Sequence, residues 1–290
     1  MHRALRWLRN TIAALLVLLL VAVVTVYALS ERIVRRTYEA PLVVIPIPAD
    51  SASIVEGDRL TRIHGCRGCH RADLSGQYFE DNFLIGRLAA PSLTLAAQQY
   101  SDEELVRIIR RGVRPDGHSV LAMPSEMFAP LTDADLGKII AYIRSAPPAP
   151  GLPRTVELGP LARLGLVTGQ YAPAAVWVRT ADSLAAAGYF PAAGEPNARG
   201  AYLARTSCTE CHGLQLEGSD FAPNLRIATG YTREQFAHFF QTGEALGGRQ
   251  LQLMSVVAQS RFSHLSDEDE AALYAYLMAR AAAVPDTSAP

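Results

Sequence analysis

Lysine is almost missing from this chain: Lys138 is the only one in 290 residues, so the basic side chains are otherwise arginine. Excess positive charge is missing too, since 27 basic residues face 28 acidic ones for a net charge of −1; this excludes the electrostatic footprint of a nucleic-acid binder. Cysteine is scarce. The four fall as two close pairs, Cys66 with Cys69 and Cys208 with Cys211, and none is left over, which argues against a disulfide-stapled scaffold. Alternating strand patterns are also few, so helix and loop are expected throughout. What the chain does have is apolar character, 49% hydrophobic against 19% charged, too much for a disordered protein, and a length that suits one to two packed domains.

Charge is unevenly placed. Residues 1–40 hold six arginines and only Glu31 and Glu39, which leaves 21 basic and 26 acidic side chains in residues 41–290. Between Thr11 and Leu29 lie 19 uncharged residues. As a helix they span about 28 Å, close to the roughly 30 Å of a bilayer core. Arg3, Arg6 and Arg9 precede this run without an acid among them, whereas Arg32, Arg35 and Arg36 beyond it are diluted by Glu31 and Glu39. The positive-inside rule then places the amino terminus in the cytoplasm and the bulk of the chain outside. The run exceeds the apolar core of a cleavable signal, so a retained anchor over residues 1–40 is expected, with Val26-Tyr27-Ala28 as the cleavage site in the alternative.

The two cysteine pairs sit in a repeated frame. Gly57 and Leu60 precede the first, Gly200 and Leu203 the second; His70 and His212 follow directly; Leu74-Ser-Gly76 matches Leu216-Glu-Gly218, and Pro91-Ser-Leu93 matches Pro223-Asn-Leu225. Two helix starts also match. Ser101 with Glu104 and Thr232 with Gln235 form capping boxes, with Tyr100/Leu105 and Tyr231/Phe236 as staples, and both helices should stop near Gly112 and Gly243. A last helix should follow Thr132 in one copy and Ser266 in the other. The expected division is an anchor over 1–40, a first domain over 52–147, a connector over 148–194 that packs on one or both domains, and a second domain over 195–284. The Pro-rich stretch Ala146-Pro-Pro-Ala-Pro-Gly-Leu-Pro153 marks the boundary.

The strings Cys66-Arg-Gly-Cys69-His70 and Cys208-Thr-Glu-Cys211-His212 have the spacing of c-type haem attachment. Two thiols three residues apart can form thioethers with the vinyl groups of one porphyrin, while the adjacent imidazole reaches the iron. A zinc site would need a second pair of ligands per copy, and a redox dithiol would need a βαβ setting. For the sixth iron position, Met123 and Met254 are expected on the loop ahead of the last helix of each copy, where a thioether can fold over the distal face. Methionine opposite histidine fills the coordination sphere and suits outer-sphere electron transfer. Met127 is the rival to Met123; Met278 reads as core filler. His118 and His264 read as surface or supporting residues rather than ligands, His64 stands too close to Cys66 to reach the distal face of that haem, and His238 reads as an ordinary surface or packing residue.

With these residues in hand, the chain resembles class I cytochromes c in tandem, and most of all the membrane-anchored dihaem cytochromes c of bacterial periplasmic electron-transfer chains. The resemblance rests on the two Cys-x-x-Cys-His strings, Ala90-Pro91-Ser-Leu-Thr94, Ala222-Pro223-Asn-Leu225, Arg110-Arg-Gly-Val-Arg-Pro-Asp-Gly117, Met123-Pro124 and the terminal helices with Tyr142 and Tyr276. It implies an all-α fold of two tandem domains behind a single transmembrane helix, with two covalently bound haem c groups. It implies that Pro91 and Pro223 lend their carbonyls to the proximal histidines. It also implies a close helix crossing of Gly57 against Tyr142 and of Gly200 against Tyr276. Two positions depart from the pattern: the first copy has one more residue between its glycine and its first cysteine, and Ser255 stands where a proline would follow Met254.

The function so implied is an electron carrier, not an enzyme, in the bacterial inner membrane with its haem domains in the periplasm. Its partners would be redox proteins, a dehydrogenase, a terminal oxidase or another cytochrome, and the membrane itself. A lysine-ringed docking face like that of the mitochondrial carrier is not available with one lysine. Two alternatives stand beside this reading: a dihaem peroxidase, which needs an open or displaceable distal ligand, and a haem-based redox- or gas-sensing or assembly subunit.

Overall fold

A computed structural model describes residues 2–149 and 151–283; Pro150 of the connector and the expected end of the second domain at residue 284 lie outside them. The described residues are mostly helical. The apolar run forms a single helix, α1 (His2–Val34), and none of its most apolar 18-residue stretch is buried against the rest of the molecule.

The first repeat runs through α2 (Ser51–Ile63), α3 (Cys66–His70), β1 (Gln77–Asn82), β2 (Gly86–Ala90), α4 (Leu93–Gln99), α5 (Asp102–Arg111), α6 (Ser125–Phe128) and α7 (Asp133–Ser145). Then come β3 (Thr155–Leu158), α8 (Pro160–Thr168) and α9 (Ala174–Ala186). The second repeat comprises α10 (Ala198–Ser207), α11 (Thr209–His212), a 3-10 turn over Leu225–Gly230, α12 (Arg233–Thr242), the two-residue strands β4 (Glu244–Ala245) and β5 (Arg249–Gln250), α13 (Leu253–Ser260) and α14 (Asp267–Ala283).

The helix boundaries follow local chemistry. Both capping boxes form, at Ser101/Glu104 and Thr232/Gln235, and Gly112 and Gly243 end their helices with left-handed φ of 64° and 72°. Thr132 accepts from Asp135 N and Ser266 from Asp269 N, each at 3.1 Å. The terminal helices of each repeat cross where glycine allows it. A Cβ on Gly57 would overlap the Lys138 carbonyl and Tyr142 Cβ; one on Gly200 would overlap the Ala272 carbonyl and Tyr276 Cβ.

Strands appear where helix and loop were expected. β1 and β2 form an antiparallel hairpin, and β3, from the connector, pairs antiparallel on the other side of β2. A register shift between Tyr78 and Glu80 breaks the alternation that would have marked β1. The connector packs on both repeats. α9 packs on α5 and α6, Arg111 pairs with Asp182 at 2.7 Å, and Ala174 N donates to Val120 O at 3.0 Å. Further on, Phe190 belongs to the second core and Tyr189 OH donates to Gln215 O at 3.2 Å. α8 also holds the end of α1, with Arg163 donating to Ser30 Oγ at 3.0 Å and to Glu31 at 3.1 Å.

The two repeats meet about an approximate two-fold axis. Arg59 and Tyr202 stand two residues after the matched glycines, and Asp135 and Asp269 hold one position in the matched cap sequences. Tyr202 OH donates to Asp135 at 2.6 Å, and Arg59 pairs with Asp269 at 3.6 Å, so each contact is the image of the other. At the axis, His64 and Thr206 precede Cys66 and Cys208 by the same two residues, and His64 Nδ1 donates to Thr206 O at 3.0 Å.

Candidate haem centres

The first attachment motif is one helical turn bounded by backbone that turns left-handed, Gly65 before it (φ 74°) and Arg71 after it (φ 66°). Spacing of i, i+3 and i+4 therefore puts Cys66, Cys69 and His70 on one face. That face borders a cavity of about 530 Å³, whose wall includes Pro91, Met123 and Met127.

The loop after each motif takes the same unusual path. Leu74 and Leu216 are both buried with positive φ (61° and 59°), and Gly76 and Gly218 follow with φ of 81° and 99°. Gly76 N donates back to His70 O at 3.0 Å and Gly218 N to His212 O at 2.9 Å. Leu93 N reaches Leu74 O at 2.9 Å, as Leu225 N reaches Leu216 O at 3.1 Å. These bonds bring the prolines under the histidines: His70 Nδ1 donates to Pro91 O, and His212 Nδ1 to Pro223 O, both at 2.7 Å. Burial holds both imidazoles below their usual pKa, with the proline carbonyls opposing it. Each ring is thus neutral with its proton on Nδ1, which leaves Nε2 as the donor atom a metal requires.

The rival readings of the cysteines fare poorly. Burial pushes the Cys66 and Cys208 thiols up to about 12, opposite to the activated thiol of a redox dithiol. Among the described residues, no group of three or more His, Cys, Asp or Glu side chains gathers as a metal-ion site, whereas zinc takes four ligands. A haem fits the first cavity. Its wall is largely apolar, and Arg114 and Arg154 add cationic groups, one of them with a buried, unpartnered Nε. Two cations at an apolar cavity match the propionates of an otherwise apolar macrocycle.

Around the first cavity the structure gathers Cys66, Cys69, His70, Pro91 and both methionine candidates: Met123 is half-buried, and Met127, on α6, is 1% exposed and part of the first core. In the second repeat Cys208, Cys211, His212 and Pro223 come together. Met254 sits in the first turn of α13, packed against the second core, rather than on the loop expected for it. There Ser255 Oγ accepts from Leu251 N at 2.8 Å and donates to Gly243 O at 2.5 Å. His118 lies in a polar turn beside Asp116, and His238 is exposed on α12. His264 offers its carbonyl to Arg59 at 3.0 Å. His64 is 1% exposed at the inter-repeat axis, with burial lowering its pKa to about 4, and Arg261 reaches from the second repeat to the first attachment motif. No local motif announces either placement.

A family model described as cytochrome c matches residues 54–147 and 197–281. Over 288 residues the chain is 25% identical to the fructose dehydrogenase cytochrome subunit of Gluconobacter japonicus, covering 88% of this chain and 58% of that protein. Over 103 residues it is 33% identical to the cytochrome c subunit of the alcohol dehydrogenase (quinone) of Gluconobacter oxydans (strain 621H), covering 32% of this chain and 21% of that protein. The chain thus spans little more than half the length of the first of these relatives.

Proposed function

The chain belongs to the cytochrome c family, and on that premise we propose that it is a membrane-anchored dihaem carrier that passes single electrons from a periplasmic dehydrogenase toward a respiratory acceptor. The observation that carries this reading is the 2.7 Å bond from histidine Nδ1 to proline carbonyl, repeated in both copies beside paired thiols. Bound haem iron supplies the one-electron couple. Cys66 and Cys69, and Cys208 and Cys211, would each hold one group through thioethers. His70 and His212 would ligate the iron, oriented by Pro91 and Pro223. Met123 and Met254 would complete the iron's ligand set and so leave no place for oxygen or peroxide, which favours a carrier over a peroxidase or gas sensor. Arg114 and Arg154 would offer cations to the propionates of the first group.

The dehydrogenase partner is inferred from the two relatives, both described as subunits of dehydrogenases. Inner-membrane location, with residues after about 30 in the periplasm, rests on α1 and its flanking arginines. Intact mass of the denatured chain together with its haem absorbance tests the cofactor directly. Two haems that stay attached in denaturant are expected; a mass equal to the bare polypeptide would overturn the reading.

A further inference from the structure

We infer that Arg261 is a positioning residue shared by both haem centres: together with Glu210 it ties the two attachment motifs to each other, and its charge raises both reduction potentials. This rests on the two-haem reading above.

Arg261 ends α13, yet its guanidinium lies over the first repeat. A Cβ on Gly65, the residue before Cys66, would overlap the guanidinium carbon and nitrogens, and one on Gly68, between Cys66 and Cys69, would touch it. Its Nη1 donates to Glu210 Oε2 at 2.9 Å, and Glu210 stands between Cys208 and Cys211 while also lining the cavity bordered by His70. One guanidinium therefore touches both attachment motifs.

The junction breaks the two-fold symmetry around it. Counted back from the matched leucines, Arg261 before Leu265 holds the place of Met127 before Leu131, and Met127 is packed in the first core. Gly65 is matched by Ser207. At these matched positions the second repeat sends a cation across, and the first offers a bare backbone to receive it. The Arg261 side chain is 16% exposed, so solvent screens it weakly, and a guanidinium keeps its proton at any working pH. A fixed positive charge beside a haem favours the ferrous form, which carries one positive charge less.

Optical redox titration of the full-length holoprotein tests this with three variants. Arg261→Gln should shift the ferrous-to-ferric equilibrium of both haems toward ferric by on the order of tenfold, which is ~59 mV for a one-electron couple. Arg261→Lys, which keeps the charge, should restore most of the shift. Glu210→Gln should move both potentials upward, and this decides the matter if Arg261→Gln fails to assemble. Unmoved potentials, movement of only one haem, or no rescue by lysine would overturn the inference. Haem count by intact mass, run on the same samples, separates the two levels: fewer than two haems in the parent protein contradicts the dihaem reading itself, whereas two haems with unmoved potentials contradict only the role of Arg261.

Discussion

The two repeats reach one proximal geometry by chains of different length. Pro91 follows His70 by 21 residues and Pro223 follows His212 by 11, yet both carbonyls sit 2.7 Å from Nδ1. What stays constant is the frame of Leu74/Leu216 and Gly76/Gly218, whose left-handed backbone turns the chain under the histidine. What varies lies outside that frame. The longer loop of the first repeat forms the β1–β2 hairpin, and its second strand receives β3 of the connector. The ligand frame is therefore independent of the insertion, and the insertion fastens the connector to the first repeat.

The strongest way to break this equivalence is at the helix crossings. Gly57→Val and Gly200→Val would each drive a branched side chain into the backbone of the crossing helix, Lys138 or Ala272. Overpacking against backbone should cost about 3 kcal/mol or more, and each variant should lose haem chiefly from its own repeat, as read from haem content and thermal unfolding.

Next in size is a pH effect confined to one side of the two-fold axis. His64 faces Thr206, which does not titrate, and burial lowers its pKa from 6.5 to about 4. In the unfolded chain the imidazole takes up a proton below pH 6.5, while in the native protein it does so only near pH 4. Its contribution is therefore present above pH 6.5 and is lost as the pH falls toward 4, in total on the order of 3 kcal/mol. Denaturant unfolding at pH 7 and pH 4.5 should show this loss, and His64→Gln should flatten it. Equal acid sensitivity in the variant would refute the assignment.

The smallest difference concerns the caps. Ser101→Ala and Thr232→Ala remove matched capping boxes and should each lower stability by about 1 kcal/mol in denaturant titrations; a much larger loss in one repeat would show that the frames are not equivalent.

Much of this architecture was legible in the sequence because its signals are local. Caps at Ser101, Thr232, Thr132 and Ser266, helix ends at Gly112 and Gly243, and the spacing of Cys66, Cys69 and His70 all act within one or two helical turns. The crossing glycines and the prolines came from resemblance, and the structure places them against Tyr142, Tyr276, His70 and His212. The hairpin stayed hidden because its bulge disrupts the period of two and its third strand arrives from the connector. Met254 falls on helix instead of loop because no proline follows it, and helix α13 starts one residue before it. The burial of His64 and the reach of Arg261 depend on how the repeats face each other, which no periodicity encodes.

We propose two methionine-ligated haems in two equivalent frames. Optical redox titration of the full-length protein, following the methionine-to-iron charge-transfer band of the oxidised form, is the direct test. Two one-electron components should appear, both contributing to the band, with one contribution lost in Met123→Ala and the other in Met254→Ala while both haems remain covalently attached. A single component, or a band that survives both substitutions unchanged, would rule out two methionine-ligated haems.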